Sequence, residues 1–228
     1  MEYVINFDEQ EAYERALKVF IKNCGFKPDS EKHKRMLATA MEIRESGVEK
    51  IDIKALVSEY GPGVIRDDYI EIDGVKLQCD SVYQMDKSKI HKMLLYIITV
   101  DECGCGSEDI LDRVYADFWG TAYVDAAFEL FRREIEARYT DSANPKLELS
   151  EAFGPGYYGM PTEEIKTFFQ IIDPGKIGVK CHPSCVMLPI KSCAGIIFII
   201  EKGAKMPEKS CESCLGNKSG CRYCKFSK

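Results

Sequence analysis

Apolar positions recur at helical spacing in two stretches near the start of the chain. Between Asp8 and Cys24, the residues Tyr13, Leu17, Phe20, Ile21 and Cys24 share one face, Asp8 is placed to cap the start, and Gly25 ends the run. Residues 29–46 repeat the pattern with Met36, Leu37, Ala40 and Ile43, a cap from Asp29 or Ser30, and an end at Gly47. The pattern then changes period. Ile51 to Val57 reads as a strand, Gly61-Pro62-Gly63 as a turn, and Tyr69 to Leu77 as two alternating arms around Asp73-Gly74. Asp-Gly suits the left-handed positions of a type I′ turn, so these arms predict a β-hairpin. A short helix over about 81–92 and a buried strand from Leu94 to Val100 follow.

Residues 107–138 predict a long helix, with Ser107 as cap, Glu108 and Asp109 complementing the helix dipole, and Gly120 as a point of splitting or close packing. Phe153 to Pro161 reads as a loop rich in Gly, Pro and Tyr. Thr162 opens a further helix, and strands are expected near 177–180, 185–189 and 193–201. The elements mix without a regular βαβ series. That favours an α+β fold with a largely antiparallel sheet over a doubly wound one. The expected division is an α+β domain over 1–200 and a Cys-rich tail over 201–228.

Length and composition support one sizeable core. A chain of 228 residues should bury roughly 70% of its unfolded surface, without disulfide support. The net charge of −6 disfavours nucleic acid and anionic membrane as partners. The tail departs from that balance, with seven Lys/Arg against three Glu in residues 201–228. The apolar runs Leu94–Val100 and Ala194–Ile200 are too short to span a bilayer, and Met1 to Gln10 is polar and acidic rather than signal-like. The expected compartment is the reducing cytoplasm, where eleven Cys point to metal or redox chemistry more than to disulfides.

Cys211, Cys214, Cys221 and Cys224 form two CxxC pairs separated by six residues. That places four thiolates where one tetrahedral metal can take them, as structural zinc or an iron–sulfur cluster. Cys181, His182 and Cys185 form a second group, read either as a metal or activated-thiol site or as small buried residues. Cys103 and Cys105 lie in a glycine turn ahead of the long helix. In the loop, Gly154 and Gly156 permit close backbone approach, and Tyr157 and Tyr158 offer aromatic faces to a planar base or a sulfonium.

Several of these segments together resemble the activation domain of vitamin B12-dependent methionine synthases and its stand-alone relatives. Pro155-Gly156-Tyr157, followed by a helix, is similar to the family's R-x-x-P-G-Y loop. Asp117-Phe-Trp-Gly120-Thr-Ala-Tyr-Val124-Asp125-Ala126 resembles its L-D-A-x-G-S-x-A-V-E-A helix. Ile177-Gly178-Val179, Met187-Leu-Pro189 and Ser192 resemble its later strand pair. The likeness covers roughly residues 65–228.

The resemblance implies a C-shaped α+β fold, with helices around a twisted, largely antiparallel sheet. It implies an S-adenosylmethionine site lined by Gly154, Pro155, Gly156 and Tyr157, with Asp125 as a polar contact. The implied role is an accessory one in corrinoid-dependent methyl transfer, the reductive methylation of a cobalamin carried by a partner. That partner is a corrinoid protein or cobalamin-dependent methyltransferase, and the electron donor is of the flavodoxin or ferredoxin kind. The chain also departs from the family's pattern: Ala152 stands where the loop has Arg, Asp125 where the helix has Glu, His182-Pro183 where a strand has Thr-Glu, and Ile197 where the last strand has an aromatic residue. The alternative reading is a metal-binding corrinoid or electron-transfer partner that no longer binds S-adenosylmethionine.

Overall fold

The computed structural model describes residues 1–47, 51–100, 107–140 and 146–207. In chain order the elements are β1 (Glu2–Asn6), α1 (Glu9–Asn23), α2 (Glu31–Gly47), β2 (Lys54–Tyr60), β3 (Tyr69–Ile72), β4 (Val75–Gln78), β5 (Ile90–Thr99) and α3 (Ile110–Tyr139). They continue with β6 (Leu147–Leu149), α4 (Glu164–Ile171), β7 (Lys180–Cys181), β8 (Met187–Leu188) and β9 (Ser192–Glu201).

Five strands make one antiparallel sheet in the order β1-β2-β5-β9-β6. Its centre is β5 and β9, ten residues each and largely apolar, which pair with Ile98 opposite Cys193 and Leu94 opposite Ile197. Side chains alternate across a strand, so each run divides between two cores. Leu94, Tyr96 and Ile98 meet α1, α2 and α3 on one face. Met93, Leu95 and Ile97 meet the β3–β4 hairpin and α4 on the other. The expected α+β class with a largely antiparallel sheet is the fold observed.

The helical layer is pinned by aromatic packing. Trp119 of α3 stacks on Phe20 of α1 at 4.1 Å with 12° between planes. Its indole N–H donates to the Ala40 carbonyl of α2 at 2.8 Å, so one side chain joins three helices. Asp8 caps α1 as expected, accepting from the Glu11 N–H at 2.8 Å. Ser30 rather than Asp29 serves α2, accepting from the His33 N–H. Asp109, not Ser107, caps α3, and Ser107 instead accepts from the Asp109 N–H. The Asp73-Gly74 hairpin turn is observed, with φ of 50° and 81°.

Other expectations fail. The helix over 81–92 is absent: two short 3-10 turns, 80–84 and 87–89, lead into β5, which starts at Ile90. A strand running to Thr99 needs its first residues extended for pairing with Ile200, and this tertiary pairing overrides the local helical spacing. His91 accordingly lies on a strand, 3.5 Å from Glu201. The strands expected near 177–180 and 185–189 shrink to two residues each, and 174–177 is a 3-10 turn.

Where α3 ends, Glu59 of β2 receives hydrogen bonds from the Tyr139 hydroxyl and from Lys92 at 2.9 Å. Burial raises its pKa, but those donors and the Lys92 charge outweigh burial and hold the carboxyl below its ordinary value. A depressed carboxyl pKa stabilises the fold above the unfolded value and loses that contribution as pH falls through the folded one. Glu59→Gln is therefore expected to cost about 1–3 kcal/mol at pH 7. The difference from wild type should shrink below the ordinary glutamate pKa of about 4.3. Urea unfolding at a series of pH values measures this, and a difference that does not change with pH would refute the assignment.

Candidate functional site

The glycine–tyrosine loop hangs from the outer edge of β9. Phe153 and Ile196 exchange backbone hydrogen bonds there, which brings Gly154 against the strand. A Cβ on Gly154 would lie 2.8 Å from the Ala194 carbonyl oxygen, and one on Gly195 would lie 2.5 Å from the Tyr96 hydroxyl and 2.6 Å from the Phe153 carbonyl. Both glycines are thus required by the close approach of loop and strand. Gly156 differs: its φ is +90°, and a Cβ there would meet nothing within 4 Å. It forms the bend of a turn closed by Gly156 N–H to Met160 O at 2.8 Å and Tyr157 N–H to Gly154 O at 2.9 Å. Tyr157 is 54% exposed at the tip. Tyr158 points inward instead, its ring 4.3 Å from that of Phe153, with its hydroxyl buried and unpartnered among the described residues.

Helix α3 runs along the same stretch of β9. Lys191 lies over Gly120 and bonds Asp117 at 2.7 Å and Thr121 at 3.0 Å. Gly120 is therefore a site of close packing in an unbroken helix. One turn on is Asp125, whose charge adds to burial in pushing the Cys193 thiol up to about 12. Asp125 acts on Cys193, and Gly154 rests on the next residue, Ala194. The fold therefore brings the helix residue and the loop residues expected from sequence to adjoining positions on one strand. Phe128 and Arg132 extend the Asp125 stripe of α3, since spacings of three, four and seven share a helix face. Phe128 packs 5.9 Å from Tyr96, and Arg132 donates to the Ser150 carbonyl at 3.0 Å where the loop begins.

The cysteine groups fare differently. Cys211, Cys214, Cys221 and Cys224 lie outside the described residues, as do Cys103 and Cys105. Among the described residues, no three His, Cys, Asp or Glu are placed to hold a metal. Cys181 and Cys185 sit in the β7–β8 hairpin, where both meet one carbonyl: the Cys181 thiol and the Cys185 N–H donate to His182 O at 3.4 and 2.9 Å. The His182 Nδ1 engages the hydroxyl and N–H of Ser184 at 2.7 and 3.2 Å. Burial, with Cys185 adding to it, raises the Cys181 pKa. The thiolate, the reactive form, is thus disfavoured there. Cys79 is fully buried and pushed up to about 12 by burial, in keeping with a packing role.

No protein-family model matches the chain, and no curated protein matches it either. Among solved structures, the crystal structure of the MetH reactivation domain bound to AdoHcy superposes with a TM-score of 0.57. The match covers 89% of this chain and 79% of that one, at 12% sequence identity. The chain has the α+β fold of that reactivation domain. No helix among the described residues is long and apolar enough to cross a membrane.

Proposed function

We propose that this chain binds S-adenosylmethionine beside α3 and acts as an accessory protein in corrinoid-dependent methyl transfer. The observation that carries this reading is the shared fold with a domain solved with AdoHcy, together with Asp125 and the Gly154–Tyr157 loop meeting on one strand. The residues present suit such a ligand. Tyr157 offers an exposed ring, Gly156 leaves its surroundings open, and Asp125 supplies an exposed carboxylate for a sulfonium or ribose hydroxyls. When bound, S-adenosylmethionine supplies the methyl group, and the corrinoid and the electron come from partner proteins. This chain's own part is to hold and orient the donor.

Anaerobic calorimetric titration with AdoHcy tests the reading. One-site saturation is expected, weakened by Tyr157→Ala about tenfold, the loss of one aromatic–base stack. No binding at millimolar ligand would refute S-adenosylmethionine binding and leave the reading as a metal-dependent corrinoid or electron-transfer partner.

For the tail we propose one metal held by Cys211, Cys214, Cys221 and Cys224, which closes a tetrahedral shell and makes a structural site. About one equivalent of zinc or iron is expected to co-purify. Cys214→Ser and Cys221→Ser should each lose it while leaving AdoHcy affinity unchanged. Elemental analysis reads the first outcome, and visible absorbance separates a cluster from zinc.

A further inference from the structure

We propose that Arg132 takes the carboxylate end of the ligand bound beside Asp125; this assignment rests on the reading above. Arg132 is half-buried on α3: Nη1 donates to the Ser150 carbonyl at 3.0 Å, and the guanidinium carbon sits 6.0 Å from the Phe128 ring centre. Among the described residues no carboxylate pairs with it, although fourteen ion pairs engage other charged groups there. One backbone oxygen occupies one N–H of a fork that carries five, and the remaining donors suit a planar carboxylate.

The surroundings select the ligand's shape. Arg132 and Asp125 are seven residues apart on one face of α3, which separates their backbones by about 10 Å. Between them Phe128 packs on Tyr96, which borders Gly195. Facing Arg132 across the sheet edge is the root of the loop. Ala152 packs into the core on the α3 side. Of the acids close to Arg132 along α3, Glu129 pairs with Arg15 at 3.5 Å and Glu134 with Arg138 at 3.0 Å. An anionic group at Arg132 and a cationic or hydroxyl-bearing group at Asp125 describe an elongated amino-acid conjugate. The α-carboxylate then lies at Arg132 and the sulfonium and ribose lie toward Asp125 and Tyr157.

Two probes separate this assignment from the wider reading: AdoHcy, which carries the amino-acid carboxylate, and 5′-methylthioadenosine, which lacks it. Arg132→Gln keeps a donor for Ser150 O but removes the charge. It should weaken AdoHcy roughly tenfold to a hundredfold and leave methylthioadenosine within about twofold of wild type. Arg132→Lys, which keeps charge without the fork, should fall between. A thermal midpoint for each variant identifies loss of fold, and Arg132→Lys then carries the comparison. Unchanged AdoHcy affinity in Arg132→Gln, or equal loss of both probes in a folded variant, overturns the role of Arg132 while the adenosine site stands. Wild-type protein that binds neither probe overturns both readings.

Discussion

Replacing Trp119 with alanine is expected to lower the unfolding free energy by about 3–5 kcal/mol, the range for emptying a large aromatic site in a core. The indole is 1% exposed, and its loss removes the stack on Phe20 and contacts with Tyr13 and Tyr123. It also leaves the Ala40 carbonyl without the side-chain donor that ties α2 to α3. Trp119→Phe keeps a stacking partner for Phe20 but not the donor, so it should cost less. Because the chain has one Trp, far-UV circular dichroism in guanidinium is the suitable probe. A Trp119→Ala loss under about 1 kcal/mol would show that α2 is held by other contacts.

The second large effect is expected at Gly195. A methyl group there would sit 2.5 Å from the Tyr96 hydroxyl and 2.6 Å from the Phe153 carbonyl, closer than real Cβ contacts come. Overpacking of this kind costs about 1–3 kcal/mol. Tyr96 has little room to yield, since it packs against both Phe128 and Phe131. The strain should therefore move the other neighbour, the Phe153–Gly154 segment, away from β9. Gly195→Ala is expected to destabilise the fold and to weaken AdoHcy binding, because the loop loses its seat. Adding Tyr96→Phe removes the hydroxyl contact and leaves the ring carbon 2.8 Å away, so it should restore only a small part of the stability. Binding should stay weak while the contact with Phe153 O remains. Wild-type affinity in Gly195→Ala would show that the loop's position on β9 does not govern ligand binding.

Local chemistry was legible in the sequence. Asp8, Gly25 and Asp73-Gly74 act through their own backbone neighbourhood, and the elements they bound formed where expected. Strand β1 was missed because its pairing partner, Val4 with Leu56, lies far along the chain and its five residues alternate too briefly to stand out. The segment 81–92 was misread for the converse reason: its apolar spacing suits a helix, while its first strand residue is fixed by Ile200. At the candidate site, Asp125 and the loop were found through resemblance of short motifs. Gly154 proved necessary to the approach of Ala194 O, a backbone contact no sequence pattern displays. Arg132 drew no notice as one more charge on a charged helix. The available signal was its seven-residue spacing from Asp125.

The sheet's central pair has a consequence for how the chain folds. β1, β2 and β5 all come from the first hundred residues, and the three can assemble as soon as those residues exist. β9 cannot join β5 until the long α3 and the loop have been made, so its pairing closes the largest loop in the sheet and bears the largest entropic barrier. Until then one apolar edge of β5 stands open. β9 is therefore expected to be the late strand, and the Phe153–Gly154 loop, which hydrogen-bonds to β9, to take shape only when folding finishes.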